Sequence, residues 1–172
     1  MSGGDDANDP AATAPDGIAV EPATPTDRLD VLRVLDAAML ETDATLVGER
    51  IDAGDALVAR FIKTGAVVGA LVATRPESDR LHVDAVAVRR ARRGRGIGSA
   101  LVAAAVGRAE RDDAVDAVTA AFDPKLRDFY ADLGFVVDGG DERGQATDRL
   151  RGRRPVGAPA NDGDPESGER RR

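Results

Sequence analysis

Residues 80–110, RLHVDAVAVRRARRGRGIGSALVAAAVGRAE, constrain this chain more than any other segment. The run from Leu81 to Val88 is apolar on nearly both faces and so predicts a strand central in a sheet. A helix is expected over 96–110, with Ile97, Leu101, Ala104 and Ala105 as its inner stripe. Between strand and helix lie Arg89, Arg90, Arg92, Arg93 and Arg95, interleaved with Gly94, Gly96 and Gly98. Glycine lets the backbone turn tightly and lets a ligand approach the main chain. The unpaired amides that open the following helix, together with its dipole, form an anion site suited to phosphate. The arginines add charge for further phosphate groups. A ligand-free basic loop is the alternative.

Composition narrows the choice. The 172 residues carry a formal charge of −7. Lys63 and Lys125 are the only lysines, so the base is almost wholly arginine. An acidic chain lacks the basic footprint that nucleic acid requires, and no nucleic-acid partner is expected. There is no cysteine, which excludes disulfides, thiolate metal sites and any cysteine-linked intermediate. His82 is the only histidine, so a multi-histidine metal site is excluded and no metal is expected. No apolar run reaches membrane-spanning length and the acidic N-terminus is no signal peptide, which implies a cytoplasmic protein without a membrane partner. Residues 1–16 and 152–172 are rich in small, charged and proline residues and are expected to be disordered tails. They flank a single domain over 17–151.

The remaining elements follow from periodicity and caps. GIAVEP (17–22) alternates as a short strand. TPTDRLDVLRVLDAAML predicts a helix capped by Thr26 or Asp27, with Leu29, Leu32, Leu35 and Met39 inward. A shorter helix is expected in ETDATLVGERIDAG. Residues 55–75 read as two strands joined around Lys63–Gly65, and 114–122 as a buried strand. Asp123 caps, and Pro124 opens, a helix carrying Leu126, Phe129, Tyr130 and Leu133, which Gly134 stops. FVVD begins a strand, and QATDRLRG (145–152) offers one more. The order β-α-α-β-β-β-α-β-α-β predicts an α/β fold with a mixed sheet, not a doubly wound one.

Three nucleotide-binding patterns compete for the glycine turn. A P-loop needs Gly-Lys-Ser/Thr, and here Gly98–Ser99 has no lysine. The dinucleotide fingerprint lacks its third glycine, which falls at Ser99, although Asp123 ends the next strand. The third pattern fits: Arg93-x-x-Gly96-x-Gly98 after an apolar strand resembles the Arg/Gln-x-x-Gly-x-Gly/Ala signature of the GNAT N-acetyltransferase superfamily. DPKLRDFYADLGF (123–135) resembles that family's later helix, which ends in Phe/Leu-Tyr-x-x-Leu-Gly-Phe. The resemblance spans roughly 17–140. The chain departs from the pattern at Glu21, where an arginine is frequent, and at Asp123, where an asparagine is frequent.

The resemblance implies a mostly antiparallel GNAT-like sheet flanked by helices. It implies an acetyl-CoA-dependent N-acetyltransferase acting on a primary amine, with a homodimer as the assembly to allow for. The backbones of Val86 and Val88 would pair with the pantetheine arm as an added strand. A splay of the sheet there would free an amide, that of Val86, for the thioester oxygen. The amides of Arg93, Gly94, Gly96, Gly98 and Ser99 would hold the phosphates. Strand alternation puts His82, Asp84, Val86 and Val88 on one face. His82 and Asp84 occupy positions where family members carry histidines or a glutamate base, so His82 is the candidate base and Asp84 its orienter or substitute. Tyr130 would protonate the departing thiolate. Without cysteine, a route through an acetyl-cysteine is impossible, and direct attack of the amine on bound acetyl-CoA in a ternary complex is the economical reading. A non-catalytic acyl-CoA-binding module and a basic-loop adaptor for anionic polymers are the rival functions.

Overall fold

The computed structural model describes residues 14–38, 43–138 and 149–157. Its elements are β1 (Ile18–Pro22), α1 (Arg28–Ala37), α2 (Ala44–Asp52), β2 (Ala56–Phe61), β3 (Val67–Glu77), β4 (Arg80–Val88), α3 (Ile97–Glu110), β5 (Ala117–Phe122), α4 (Arg127–Asp132), β6 (Val136–Asp138) and β7 (Leu150–Pro155). The sheet order is β1-β2-β3-β4-β5-β7-β6. All neighbours are antiparallel except β4 and β5. A mixed, mostly antiparallel sheet flanked by helices is therefore present in the expected order. No described helix is long and apolar enough to cross a membrane.

The sheet separates two apolar clusters. On one face α3 buries Ile97, Leu101, Val102, Ala105 and Val106 against Leu71, Val83 and Val118. On the other, α1 and α2 bury Val31, Val34, Leu35, Val47 and Ile51 against Val58, Val72 and Ala85. The stripe expected on α1 is displaced: Leu29 is 57% exposed, while Val31 and Val34 fill the core. The displacement follows from the cap. Asp27 is the N-cap of α1, one of the two expected positions, but its carboxylate makes no cap bond to the helix and instead accepts from the amide and hydroxyl of Thr24, the N-cap of the turn before it, at 2.9 and 3.1 Å. A 3-10 turn over Pro25–Asp27 then rotates the start of α1. Asp27 is buried and paired with Arg60 at 3.0 Å, which also holds Glu21 at 2.7 Å. Met39 lies outside the described residues.

The C-terminal boundary needs a correction. Residues 152–155, assigned to a disordered tail, are the last four of the six residues of β7, which lies between β5 and β6. Gly152 packs on Phe122 and Phe135, leaving no room for a side chain. The strand alternates that glycine and Leu150 with arginines, so its apolar pattern is too sparse to distinguish it from a solvated tail.

Candidate active site

β4 parts from β5 halfway along its length. Their register runs from Arg80↔Ala117 to Val83↔Ala120 and stops, while β4 stays paired with β3 up to Gly69↔Val88. A bulge causes the divergence. Val72 pairs with Ala85 and Ala73 with Val83, leaving Asp84 as an extra residue on β4. Such an insertion bends a strand and sharpens its twist. Beyond the bulge, the Arg89 amide donates to the Val68 carbonyl. Amides alternate along a strand, so those of Val86 and Val88 face away from β3, into the gap.

The bulge also corrects the expected shared face. Val86 and Val88 pack with Leu81 and Val83 on the α3 side, whereas Ala85 and Ala87 pack on the α1–α2 side. His82, between Leu81 and Val83, therefore belongs to the α1–α2 side. It does not share a face with Val86 and Val88, because one inserted residue inverts the alternation.

The glycine turn adjoins the gap. Gly94 and Gly96 have φ of 78° and 87°, a region that side chains other than glycine rarely adopt. Gly96 is the N-cap of α3, whose first internal bond is Ala100 N–H to Gly96 carbonyl. Among the described residues, no acceptor takes the amides of residues 94–99. An added Cβ at Gly94 would meet nothing within 4 Å. The turn is thus an open cradle of main-chain donors. Arg93 behaves differently from expectation: its amide already bonds the Arg90 carbonyl at 3.2 Å, and its Nε donates to the Val88 carbonyl at 3.0 Å. Arg89 is tied to the Val67 carbonyl and Arg92 lies over the Phe61 ring. The cluster therefore braces its own loop as well as charging it.

Val86, Val88, Arg93, Gly94, Gly96, Gly98 and Ser99 line one cleft of about 420 Å³, which Leu126 and Phe129 complete on the side of α4. A second hollow of about 620 Å³ shares Gly96 and Ser99 with it and carries Arg95 and Arg154. His82, Asp84 and Tyr130 do not line either one.

His82 is half-buried, and its Nδ1 lies 2.8 Å from Thr119 Oγ1. Burial is the largest effect on it and lowers its pKa below the usual 6.5; the nearby Asp84 charge opposes this, while Arg149 and Arg80 reinforce it. Asp84 is exposed at the bulge. Tyr130 is 2% exposed, with its ring stacked on Phe122 at 4.1 Å and edge-on to Phe129 and Phe135. Burial pushes its hydroxyl up to about 12, with Arg149 pulling the other way. Both groups thus feel one guanidinium that sequence reading passed over. Arg149 Nη2 donates to the Ala121 carbonyl at 2.7 Å. Nothing in QATDRLRG sets this arginine apart from its neighbours, since its partner is a main-chain oxygen on another strand. Thr119 was missed for a similar reason: it meets His82 only through the β4–β5 register.

Residues 30–147 match the family model described as "Acetyltransferase (GNAT) domain". No curated protein sequence matches the chain. Among solved structures, a GNAT superfamily phosphinothricin acetyltransferase from Sinorhizobium meliloti in complex with AcCoA superposes with a TM-score of 0.68 at 20% identity, covering 88% of this chain and 97% of that one. Rv2747 from Mycobacterium tuberculosis, in complex with CoA and NLQ, gives a TM-score of 0.68 at 21% identity over 80% of this chain and 99% of the other. Ard1 from Thermoplasma volcanium gives a TM-score of 0.67 at 20% identity over 81% and 98%.

Proposed function

Because the chain belongs to the GNAT acetyltransferase family, we propose that it transfers the acetyl group of acetyl-CoA to a primary amine. The observation that carries this reading is the run of amides over 94–99 that no acceptor among the described residues takes, set beside the gap between β4 and β5. The amides of Gly94, Gly96, Gly98 and Ser99 hold the diphosphate, and Arg95 adds charge toward the nucleotide end. The structures of relatives bound to AcCoA or CoA support the same ligand. Val86 and Val88 present their amides to the pantetheine arm, which lies along β4 as an added strand. Leu126 and Phe129 cover its apolar stretch. The Val86 amide then donates to the thioester oxygen as negative charge develops there.

His82 and Tyr130 serve the two proton positions. In the tautomer that donates Nδ1–H to Thr119 Oγ1, which lies 2.8 Å away, His82 keeps the Nε2 lone pair for the amine proton, directly or through water. Its depressed pKa keeps it neutral at pH 7. Asp84 stands beside it as a charge that restrains that depression. The nitrogen attacks the acetyl carbon, the C–N bond forms and the C–S bond breaks. Tyr130, held protonated by burial, donates its hydroxyl to the departing sulfur. A phenol near 12 is a strong hydrogen-bond partner for a thiolate and a reluctant full proton donor, so stabilisation precedes protonation. No acetyl-enzyme forms on sulfur, because the chain has no cysteine.

The test is an amine panel with acetyl-CoA, reading released thiol against a protein that contributes none. Thermal stabilisation by acetyl-CoA together with amine-dependent thiol release is expected. Stabilisation without release from any amine indicates a non-catalytic acyl-CoA-binding module. The absence of both effects overturns the reading.

A further inference from the structure

We propose that Arg149 selects the acceptor: pinned at the open edge of β5, its guanidinium binds a carboxylate and directs the protein to amino carboxylic acids. The proposal rests on the acetyl transfer to an amine inferred above and deepens it. Three observations place the cation. The Val156 amide donates to the Asp116 carbonyl, so the even-numbered residues of β7 face β5 and those of β5 face β7. Ala117, Thr119 and Ala121 are therefore turned toward β4. Pairing with β4 ends at Ala120, so the Ala121 carbonyl opens into the gap where the strands part. Arg149 Nη2 donates to that oxygen at 2.7 Å. The guanidinium is thus fixed on the rim of the same gap that exposes the amides of Val86 and Val88.

The group is anchored at a main-chain oxygen. Arg50, Arg60, Arg75, Arg80 and Arg154 each have a carboxylate partner. Among the described residues, no carboxylate pairs with Arg149. A guanidinium has five donors in a rigid fork, and one bond to Ala121 leaves enough for a bidentate carboxylate. Anchoring removes much of the ordering cost that a free arginine would bear on binding. Its charge lies within electrostatic range of both His82 and Tyr130, lowering the pKa of each. An acceptor whose carboxylate lies close to its amine would therefore be gripped with its nitrogen near His82. A polycationic acceptor would meet repulsion instead.

The experiment compares L-amino acids with their own carboxamides as acceptors, in the wild type, Arg149→Gln and Arg149→Lys. The carboxamide's amine is less basic and offers more free base, so a preference for the acid cannot come from amine reactivity. The wild type is expected to favour the acid by at least about tenfold in kcat/KM, as a charge-assisted pair allows. In Arg149→Gln that ratio falls to near unity, with KM for acetyl-CoA unchanged. Arg149→Lys keeps part of it, as a point charge without the fork. Equal use of acids and amides by the wild type overturns the proposal while leaving the acetyl transfer standing. So does an Arg149→Gln variant that keeps the preference. A wild type that acetylates neither set also overturns it, and acetyl-CoA stabilisation then reports separately on the coenzyme site.

Discussion

His82 belongs to the α1–α2 side of the sheet by strand alternation, and Tyr130 to the core on the α3 side. Burial shifts the two in opposite directions, His82 down and Tyr130 up. The lowered pKa of His82 means that the neutral imidazole persists below the ordinary 6.5. The acid limb of kcat/KM is therefore expected below pH 6.5, and His82→Ala should abolish that limb and slow turnover by about 10²-fold. A limb at or above pH 7, or an unchanged profile in the variant, contradicts the assignment. The same depression makes the folded state bind this proton less readily than the unfolded chain. Its stabilising effect is thus present above about pH 6.5 and fades below it. For Tyr130→Phe, the stacking on Phe122 survives and the hydroxyl is lost. Loss of kcat by about 10²-fold with little change in melting temperature is expected. Unaltered kcat would leave Tyr130 as a core residue alone. Both side chains were legible as candidates from the strand and helix motifs. Their separation onto two faces was not, because one bulged residue reverses the parity of everything before it.

At the level of elements, the glycine turn does two separable jobs. Gly96 needs its positive φ, so Gly96→Ala strains the backbone by about 1–3 kcal/mol and should lower stability as well as acetyl-CoA affinity. Gly98 lies within α3 at ordinary dihedrals, and an added Cβ would rest against Phe129 and Val88 at 3.7 and 3.8 Å, both of which line the cleft. Gly98→Val should keep the melting temperature close to wild type and raise KM for acetyl-CoA about tenfold or more, by filling the cleft. Denaturation curves and acetyl-CoA titrations of the two variants separate these effects, and equal losses of stability would refute the distinction. The turn itself was readable from strand, glycines and helix in succession. Arg93 shows the limit of such reading: the motif marks it as a phosphate contact, yet its amide and Nε are already committed to Arg90 and Val88.

Across the whole molecule, β7 determines where the domain ends. It pairs with β5 from Ala117↔Pro155 to Phe122↔Leu150 and with β6 on its other edge. Removing residues 152–172 would strip β5 of most of that partner and expose Phe122 and Phe135. Such a truncation is expected to lower the melting temperature by more than about 10 °C or to abolish cooperative unfolding. A truncated chain that melts like the full one would mean that β7 contributes nothing to the core. Ion pairs work at the same scale. Asp55 joins Arg75 at 3.1 Å, and Arg75 reaches Asp112 at 3.2 Å, linking β3 to the segments that follow α2 and α3.

Local patterning by itself determined the order of elements, the central strand, the glycine turn and the residues around it. Each of these is written in a few adjacent residues through period, cap or glycine. Only the tertiary structure decided which face His82 occupies, that β4 and β5 separate at Asp84, that β7 completes the sheet, and that Arg149 reaches Ala121. Those facts depend on register between strands far apart in the chain. A one-residue bulge or a bond to a main-chain oxygen leaves no periodic trace in the sequence that produces it.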